Sequence, residues 1–190
     1  MTNVYLGLVH YPIYNRNMDV ISTAVTNFDI HDISRTARTY DIKNYYLIHP
    51  LEVQANIIKS VTDYWQNGYG KEYNPDRNNA LKITKYSESI ENTIKDIEAI
   101  EGLKPITITT DARTYPNTIS YKKLRSMIQN IDRPILLLFG TGFGIEKEVM
   151  KSFDYIVEPI YGAGSYNHLC VRSAVAIILD RLIGENWWEK

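Results

Sequence analysis

An apolar run, Pro134-Ile135-Leu136-Leu137-Leu138-Phe139, stops abruptly at Gly140-Thr141-Gly142-Phe143-Gly144. A run this short and this uniformly apolar fits a strand buried on both faces of a parallel sheet. The glycines let the backbone turn sharply and approach a ligand with no Cβ in the way. Ile145 to Met150 then reads as a short helix. A second apolar stretch, Tyr155-Ile156-Val157, leads to a second glycine loop, Glu158-Pro159-Ile160-Tyr161-Gly162-Ala163-Gly164. Ser165-Tyr166-Asn167-His168-Leu169 follows and opens a long helix from Cys170 to Leu182. Its apolar residues Val171, Ala174, Val175, Ile178, Leu179 and Leu182 recur at i, i+3 and i+4. The expected class is α/β, a mostly parallel sheet flanked by helices in one domain spanning residues 1–190.

Three readings compete for the first glycine loop. A dinucleotide fingerprint needs Gly-x-Gly-x-x-Gly after the first strand of a βαβ unit. Here the third glycine falls one place early, at Gly144, which weakens a nicotinamide-dependent oxidoreductase. A phosphate loop needs Gly-Lys-Ser/Thr, which Ile145-Glu146-Lys147 does not supply. The third reading is a set of consecutive loops that wrap one ligand, against the alternative of ordinary connectors.

Leu138 to Gly144, Glu158 to Gly162, and Tyr166-Asn167-His168-Leu169-Cys170-Val171-Arg172-Ser173-Ala174 resemble the C-terminal motifs of the SPOUT RNA methyltransferases. The likeness spans nearly the whole chain. It is nearest to the small single-domain branch related to the domain associated with tRNA guanine-N1 methyltransferase. The resemblance implies a C-terminus threaded into a deep trefoil knot, although chains are as a rule unknotted. It also implies a homodimer, S-adenosylmethionine as cofactor and RNA (tRNA or rRNA) as substrate. Thr109, Leu138, Phe139, Gly140, Gly142, Ile160, Gly162, Asn167, Leu169 and Ser173 become the expected cofactor-binding residues.

Asp29 to Thr39 resembles the first motif of the same family, in which an Asn precedes an Arg by six positions. Aligning on Arg35-Thr36-Ala37 puts Asp29 where the family has Asn. The resemblance gives Arg35 the leading catalytic role, facing the donor of the dimer partner, with Arg38 one turn on and Asp29 as the third candidate. Read without it, Asp32, Arg35 and Arg38 are a solvated helix face.

The balance of 21 basic and 22 acidic residues argues against strong non-specific nucleic-acid binding. Fifteen tyrosines suit half-buried sheet positions, and some could stack on bases. No apolar run nears the roughly 20 residues that cross a bilayer. Met1-Thr2-Asn3-Val4 lacks the basic start of an export signal, so a cytoplasmic protein is expected. One cysteine, Cys170, permits no internal disulfide and reads as a packed small residue. The four histidines are scattered, and no Cys/His spacing resembles a metal site, so no metal is assigned.

Elsewhere, Val4 to His10 reads as the first strand and Asn15 to Thr26 as a helix. Asp29 reads as the N-cap of a second helix, Ile30 to Tyr40. Asn44 to Pro50 is a strand whose His49 is a cap or core residue, and Leu51 to Trp65 is a helix. Gly68 to Ala80 reads as a mobile, locally basic loop. Leu81 to Tyr86 is a short strand, and Ser87 caps a helix that ends near Gly102. Pro105 to Thr110 is a β-branched strand followed by Asp111-Ala112-Arg113. In the helix from Ser120 to Gln129, Lys122, Lys123 and Arg125 form a solvated face. The rival to methyl transfer is a non-catalytic RNA- or nucleotide-binding module that retains the pocket.

Overall fold

The computed structural model describes residues 2–186. In chain order, β1 (Val4–Val9) is followed by a small hairpin, β2 (Ile13–Tyr14) and β3 (Val20–Ile21). Then come α1 (Asn27–Thr39), β4 (Tyr45–Ile48), α2 (Glu52–Gln66), α3 (Gly70–Tyr73), α4 (Pro75–Leu81) and β5 (Thr84–Ser87). The remainder runs α5 (Ile90–Glu101), β6 (Ile106–Thr110), β7 (Thr118–Ile119), α6 (Tyr121–Asn130), β8 (Ile135–Gly140), α7 (Lys147–Lys151), β9 (Tyr155–Val157) and α8 (Val171–Ile183).

Seven strands form one sheet in the order β5-β4-β1-β8-β6-β9-β7. Every pairing in it is parallel, so the α/β expectation holds. The run that opened the sequence is the central strand. Its pleat sends Ile135, Leu137 and Phe139 to one face and Leu136 and Leu138 to the other. All five are fully or almost fully buried, and each contributes about 1.5–3 kcal/mol of burial. Helices α1, α2, α4, α6 and α8 cover the first face, and α5 and α7 the second. β7 lies outboard of β9, so the chain leaving β6 passes β9 before it turns into α6.

Several local expectations are corrected. No helix forms over 15–26. The Asn15 side-chain carbonyl accepts from the amides of Asn17 and Asp19, at 2.8 and 2.9 Å, and closes a turn between β2 and β3. That local bond outcompetes the helical ladder. Asp29 is not the N-cap of α1. Thr26 is, and Asp29 sits at N3, its carboxylate accepting from the Thr26 amide and hydroxyl in a capping box. The segment 68–80 is not an open loop but α3 and α4, the latter capped by Asn74 with Pro75 at its start. Ser89, not Ser87, caps α5. The short helix after the first glycine loop starts at Lys147, with Glu146 as its cap. Arg125 is not solvated: its guanidinium donates to the carbonyls of Arg181 and Gly184, at 2.9 and 2.6 Å. It thereby satisfies the open end of α8 and locks that helix to α6.

Candidate functional site

β8, β6 and β9 are neighbours and parallel, so the loops after them leave the same edge of the sheet. Ligands gather at such edges because the connections there are free to vary. The loop after β6 is rigid. The Asp111 carboxylate accepts from the Arg113 amide, Nε and Nη2 and from the Tyr115 hydroxyl, at 2.8 to 3.2 Å. That pairing raises the Arg113 pKa above its ordinary value. Asp111 is nearly buried and Arg113 is 60% exposed, so the cation presents itself outward. This loop touches both neighbours. Gly144, after β8, faces the Asp111 carboxylate. The Asn167 amide, after β9, donates to the Ala112 carbonyl at 3.3 Å. The Asp111–Arg113 segment therefore joins the two glycine loops.

The hairpin braces the first glycine loop. The Tyr14 amide donates to the Gly144 carbonyl at 2.9 Å, and the Phe143 amide donates back to the Tyr14 carbonyl at 3.0 Å. The Tyr14 hydroxyl donates to the Glu146 carboxylate at 3.0 Å. Behind it, His10 Nδ1 bonds the Thr23 hydroxyl, which bonds the Thr141 hydroxyl, which also reaches the Val9 carbonyl. His49 is a core and cap residue as expected: Nδ1 accepts from the Leu51 amide, and Nε2 meets the Thr23 carbonyl. The sequence offered no signal for this brace, since its halves lie about 130 residues apart.

His10 and His49 are each 1% exposed, with ring centroids 5.9 Å apart. Burial, the largest cause for both, pushes their pKa values below the ordinary 6.5. The unfolded chain therefore takes up protons first as pH falls. The stability they confer is complete above pH 6.5 and drains below it. The urea midpoint is expected to drop between about pH 7 and about pH 5, as the unfolding free energy falls by up to about 1.4 kcal/mol per pH unit for each histidine. A flat midpoint over that window would contradict the buried neutral pair.

The second glycine loop is built differently. Among the described residues, no backbone group from 159 to 169 bonds another backbone group. Added Cβ atoms on Gly162 and Gly164 would meet nothing within 4 Å. The loop is thus open to solvent, and its unspent amides and carbonyls are available to a ligand. Of the expected cofactor residues, Thr109, Leu138 and Phe139 are buried beneath the loops, and Thr109 donates to the Leu138 carbonyl at 3.1 Å. Gly140 and Gly142 lie in the first loop; Ile160, Gly162, Asn167 and Leu169 lie in the second. Ser173 sits in the first turn of α8, its hydroxyl 3.2 Å from Cys170 Sγ. Cys170 is exposed at the N-cap of that helix, not packed, and its hydrogen bond with Ser173 pulls the thiol below its usual pKa.

The catalytic candidates stand apart from these loops. Arg35 is exposed and has no ion-pair partner among the described residues. Arg38 pairs with Asp41 at 3.7 Å. Asp29 is 6% exposed and held in its capping box. The link from α1 runs instead to the first turn of α8, through Asp32, which pairs with Arg172 at 3.3 Å. Arg172 also covers the exposed ring of Phe28, 4.7 Å from its centroid. A cleft of about 500 Å³ lined by Tyr46, Lys85, Ser87, Asn92 and Asp96 lies at the β5 edge. Three of its polar groups are spent on one another, Asp96 taking bonds from both Tyr46 and Lys85. None of the described helices is long and apolar enough to cross a membrane.

Comparison with known proteins adds a family. The model of a family described as SAM-dependent RNA methyltransferase matches residues 3–184. An uncharacterised protein of Aquifex aeolicus is 46% identical over 97% of this chain and 90% of its own. A tRNA (guanine-N(1)-)-methyltransferase of Oleidesulfovibrio alaskensis is 39% identical over 96% of this chain, which spans only 42% of that relative's length. An AdoMet-bound rRNA methyltransferase of Sinorhizobium meliloti superposes with a TM-score of 0.55 at 16% identity, over 95% of this chain and 55% of that one.

Proposed function

The chain belongs to a family of S-adenosylmethionine-dependent RNA methyltransferases with the SPOUT type of fold, and from that premise we propose that it methylates a nucleotide of tRNA, working as a cytoplasmic homodimer with the donor held between its two glycine loops. The observation that carries this reading is the second loop, whose backbone is unspent and whose Asn167 is tied to the loop after β6.

The donor supplies a methyl group on a positively charged sulfur. Backbone groups of Leu138, Gly140, Gly142, Ile160, Gly162 and Leu169 would hold its adenosine part, over a floor made by Thr109 and Phe139. Asn167 and Ser173 would add side-chain hydrogen bonds. The acceptor atom must be held in line with the methyl, and positioning of that kind supplies several kcal/mol. Arg35, exposed and without an ion-pair partner among the described residues, would grip an RNA phosphate beside the partner's donor. Exposed Phe28 and the Arg172–Asp32 pair lie where α1 meets α8, a surface suited to a second copy. The knot expected from the family draws support from the strand order. The 111–119 segment wraps outboard of β9, and the chain leaving β9 must still reach α8 on the α6 face.

Calorimetry with S-adenosylmethionine tests the donor site, with saturable binding expected below millimolar concentration. Mass spectrometry of nucleosides from deletion and wild-type cells then identifies the product. Donor binding without any lost nucleoside would favour the second reading, a module that binds RNA without transfer. Asp29 motivates that alternative, because it stands where the family has Asn and is committed to a helix cap.

A further inference from the structure

Four aromatic residues, Tyr64, Trp65, Tyr69 and Tyr73, gather at the end of α2 and along α3. Trp65 is the anchor. It meets Tyr64 edge-on at 5.2 Å and His31 of α1 edge-on at 5.6 Å, and the Arg77 guanidinium covers its face at 4.6 Å. The backbone of α3 rides on these rings. A Cβ at Gly70 would come within 2.7 Å of Trp65 and 2.9 Å of Tyr64, so only glycine permits this seat. Seating α3 there pushes two tyrosines outward. Tyr69 and Tyr73 are 67% and 71% exposed, and Tyr64 is 49% exposed. The Tyr69 and Tyr73 rings stand 6.2 Å apart with planes tilted by 33°.

The adjoining surface carries two guanidinium groups, Arg77 and Arg35. Burial first, then the charges of Arg77 and Arg35, hold His31 below its ordinary pKa; Arg77 shares the Trp65 ring with His31, and Arg35 lies one turn beyond His31 on α1. The nearest opposing carboxylate, Asp32, is engaged with Arg172. Lys71 is exposed on the same short helix. Glu72 and Asp76 offset part of this charge, so flat aromatic faces, not net charge, are the prominent feature. Unpaired nucleobases stack on exposed tyrosines in this manner, whereas duplex RNA offers no free base faces.

We propose that α2, α3 and the adjoining side of α1 bind a single-stranded stretch of the RNA substrate, with Tyr69 and Tyr73 stacking on its bases and Arg77 and Arg35 beside its phosphates. This rests on the RNA-methyltransferase reading and extends it to a surface away from the glycine loops.

The test is fluorescence anisotropy with a labelled oligouridine of about a dozen nucleotides, within the site size such grooves cover, and with a duplex of equal length. Wild-type protein is expected to prefer the single strand. Tyr69→Ala/Tyr73→Ala should weaken it at least tenfold, and Tyr69→Phe/Tyr73→Phe should restore it, since stacking needs the ring and not the hydroxyl. Donor calorimetry on each variant verifies the fold. Equal affinity of the alanine variant and the wild type overturns the proposal while the RNA reading stands. So does a preference for duplex, or self-association of the wild type that the alanine variant loses, which would assign the face to a second copy. Wild-type protein that binds neither RNA overturns it too, and methyl incorporation into total RNA then decides separately whether the parent reading falls.

Discussion

Gly142→Val is expected to cut affinity for S-adenosylmethionine a hundredfold or more. Gly142 has φ +55°, a left-handed conformation that a β-branched residue adopts only at a cost of about 1–2 kcal/mol or more. Space is the second obstacle. A Cβ there would sit 2.8 Å from Ile13 Cγ2, 3.1 Å from the Tyr14 carbonyl and 3.4 Å from Thr23 Cγ2. Ile13 cannot retreat, because it is fully buried and bridges Ile145 across the loop. Tyr14 cannot retreat without breaking its two backbone bonds to Phe143 and Gly144. The loop itself must move, and it carries the groups proposed to hold the donor. Gly102→Ala is the control. Gly102 has φ +73° at the end of α5, with nothing within 4 Å of an added Cβ. It should cost about 1 kcal/mol of stability and leave the donor affinity alone. Calorimetry and thermal unfolding on both variants separate backbone strain from loss of the site. Unchanged affinity in a folded Gly142→Val protein would remove the first glycine loop from the pocket.

That brace explains what the sequence could and could not disclose. The central strand and α8 were legible because their patterns are long and single-valued: an unbroken apolar run, and thirteen residues with helical spacing. The stretch from 15 to 26 carried the same spacing in Val20, Ile21, Ala24 and Val25. Yet Val20 and Ile21 are 48% and 37% exposed, and only Val25 reaches the core. Apolar periodicity records a helix only when a core claims that face, and here the partner is a turn made by Asn15. The start of α4 was legible in principle, as Asn74-Pro75 is a cap followed by a helix-starting proline. The glycine-rich composition around it outweighed that signal.

The site divides along the same line. Its glycines were visible as glycines, and their place after parallel strands followed from the apolar runs before them. The contacts of Tyr14 and Thr23 with the first glycine loop were not visible, because nothing local marks a residue whose partner lies more than a hundred positions away. The Asp111–Arg113 pair was half visible: its place at a strand end was legible, but the bond from Asn167 to the Ala112 carbonyl between them and the closeness of Gly144 were not. Asp29 shows the opposite error: an acid before an apolar run reads as an N-cap, yet Thr26-Asn27-Phe28-Asp29 spells a capping box in which the threonine is the cap and the acid stands at N3.

Arg35→Ala should lower methyl transfer by two to three orders of magnitude, about 3–4 kcal/mol in the barrier, the usual loss when a charge-stabilising donor is removed. Stability should change by no more than about 0.5 kcal/mol, because Arg35 is exposed and unpaired among the described residues. Donor affinity should hold, since no hydrogen bond joins Arg35 to either glycine loop among those residues. Arg35→Lys should recover only part of the rate, because a lysine keeps the charge but not the planar fork that grips a phosphate. The decisive version mixes two inactive proteins. In the proposed homodimer, when one Arg35→Ala chain pairs with one Gly142→Val chain, the intact loops belong to the first chain and the intact arginine to the second. If Arg35 works across the dimer, one of the two sites is whole. Random exchange of subunits then restores about a quarter of wild-type activity, since half the dimers are mixed and each has one working site. If Arg35 serves the loops of its own chain, both sites in the mixed dimer are broken and the mixture stays as inactive as its parts.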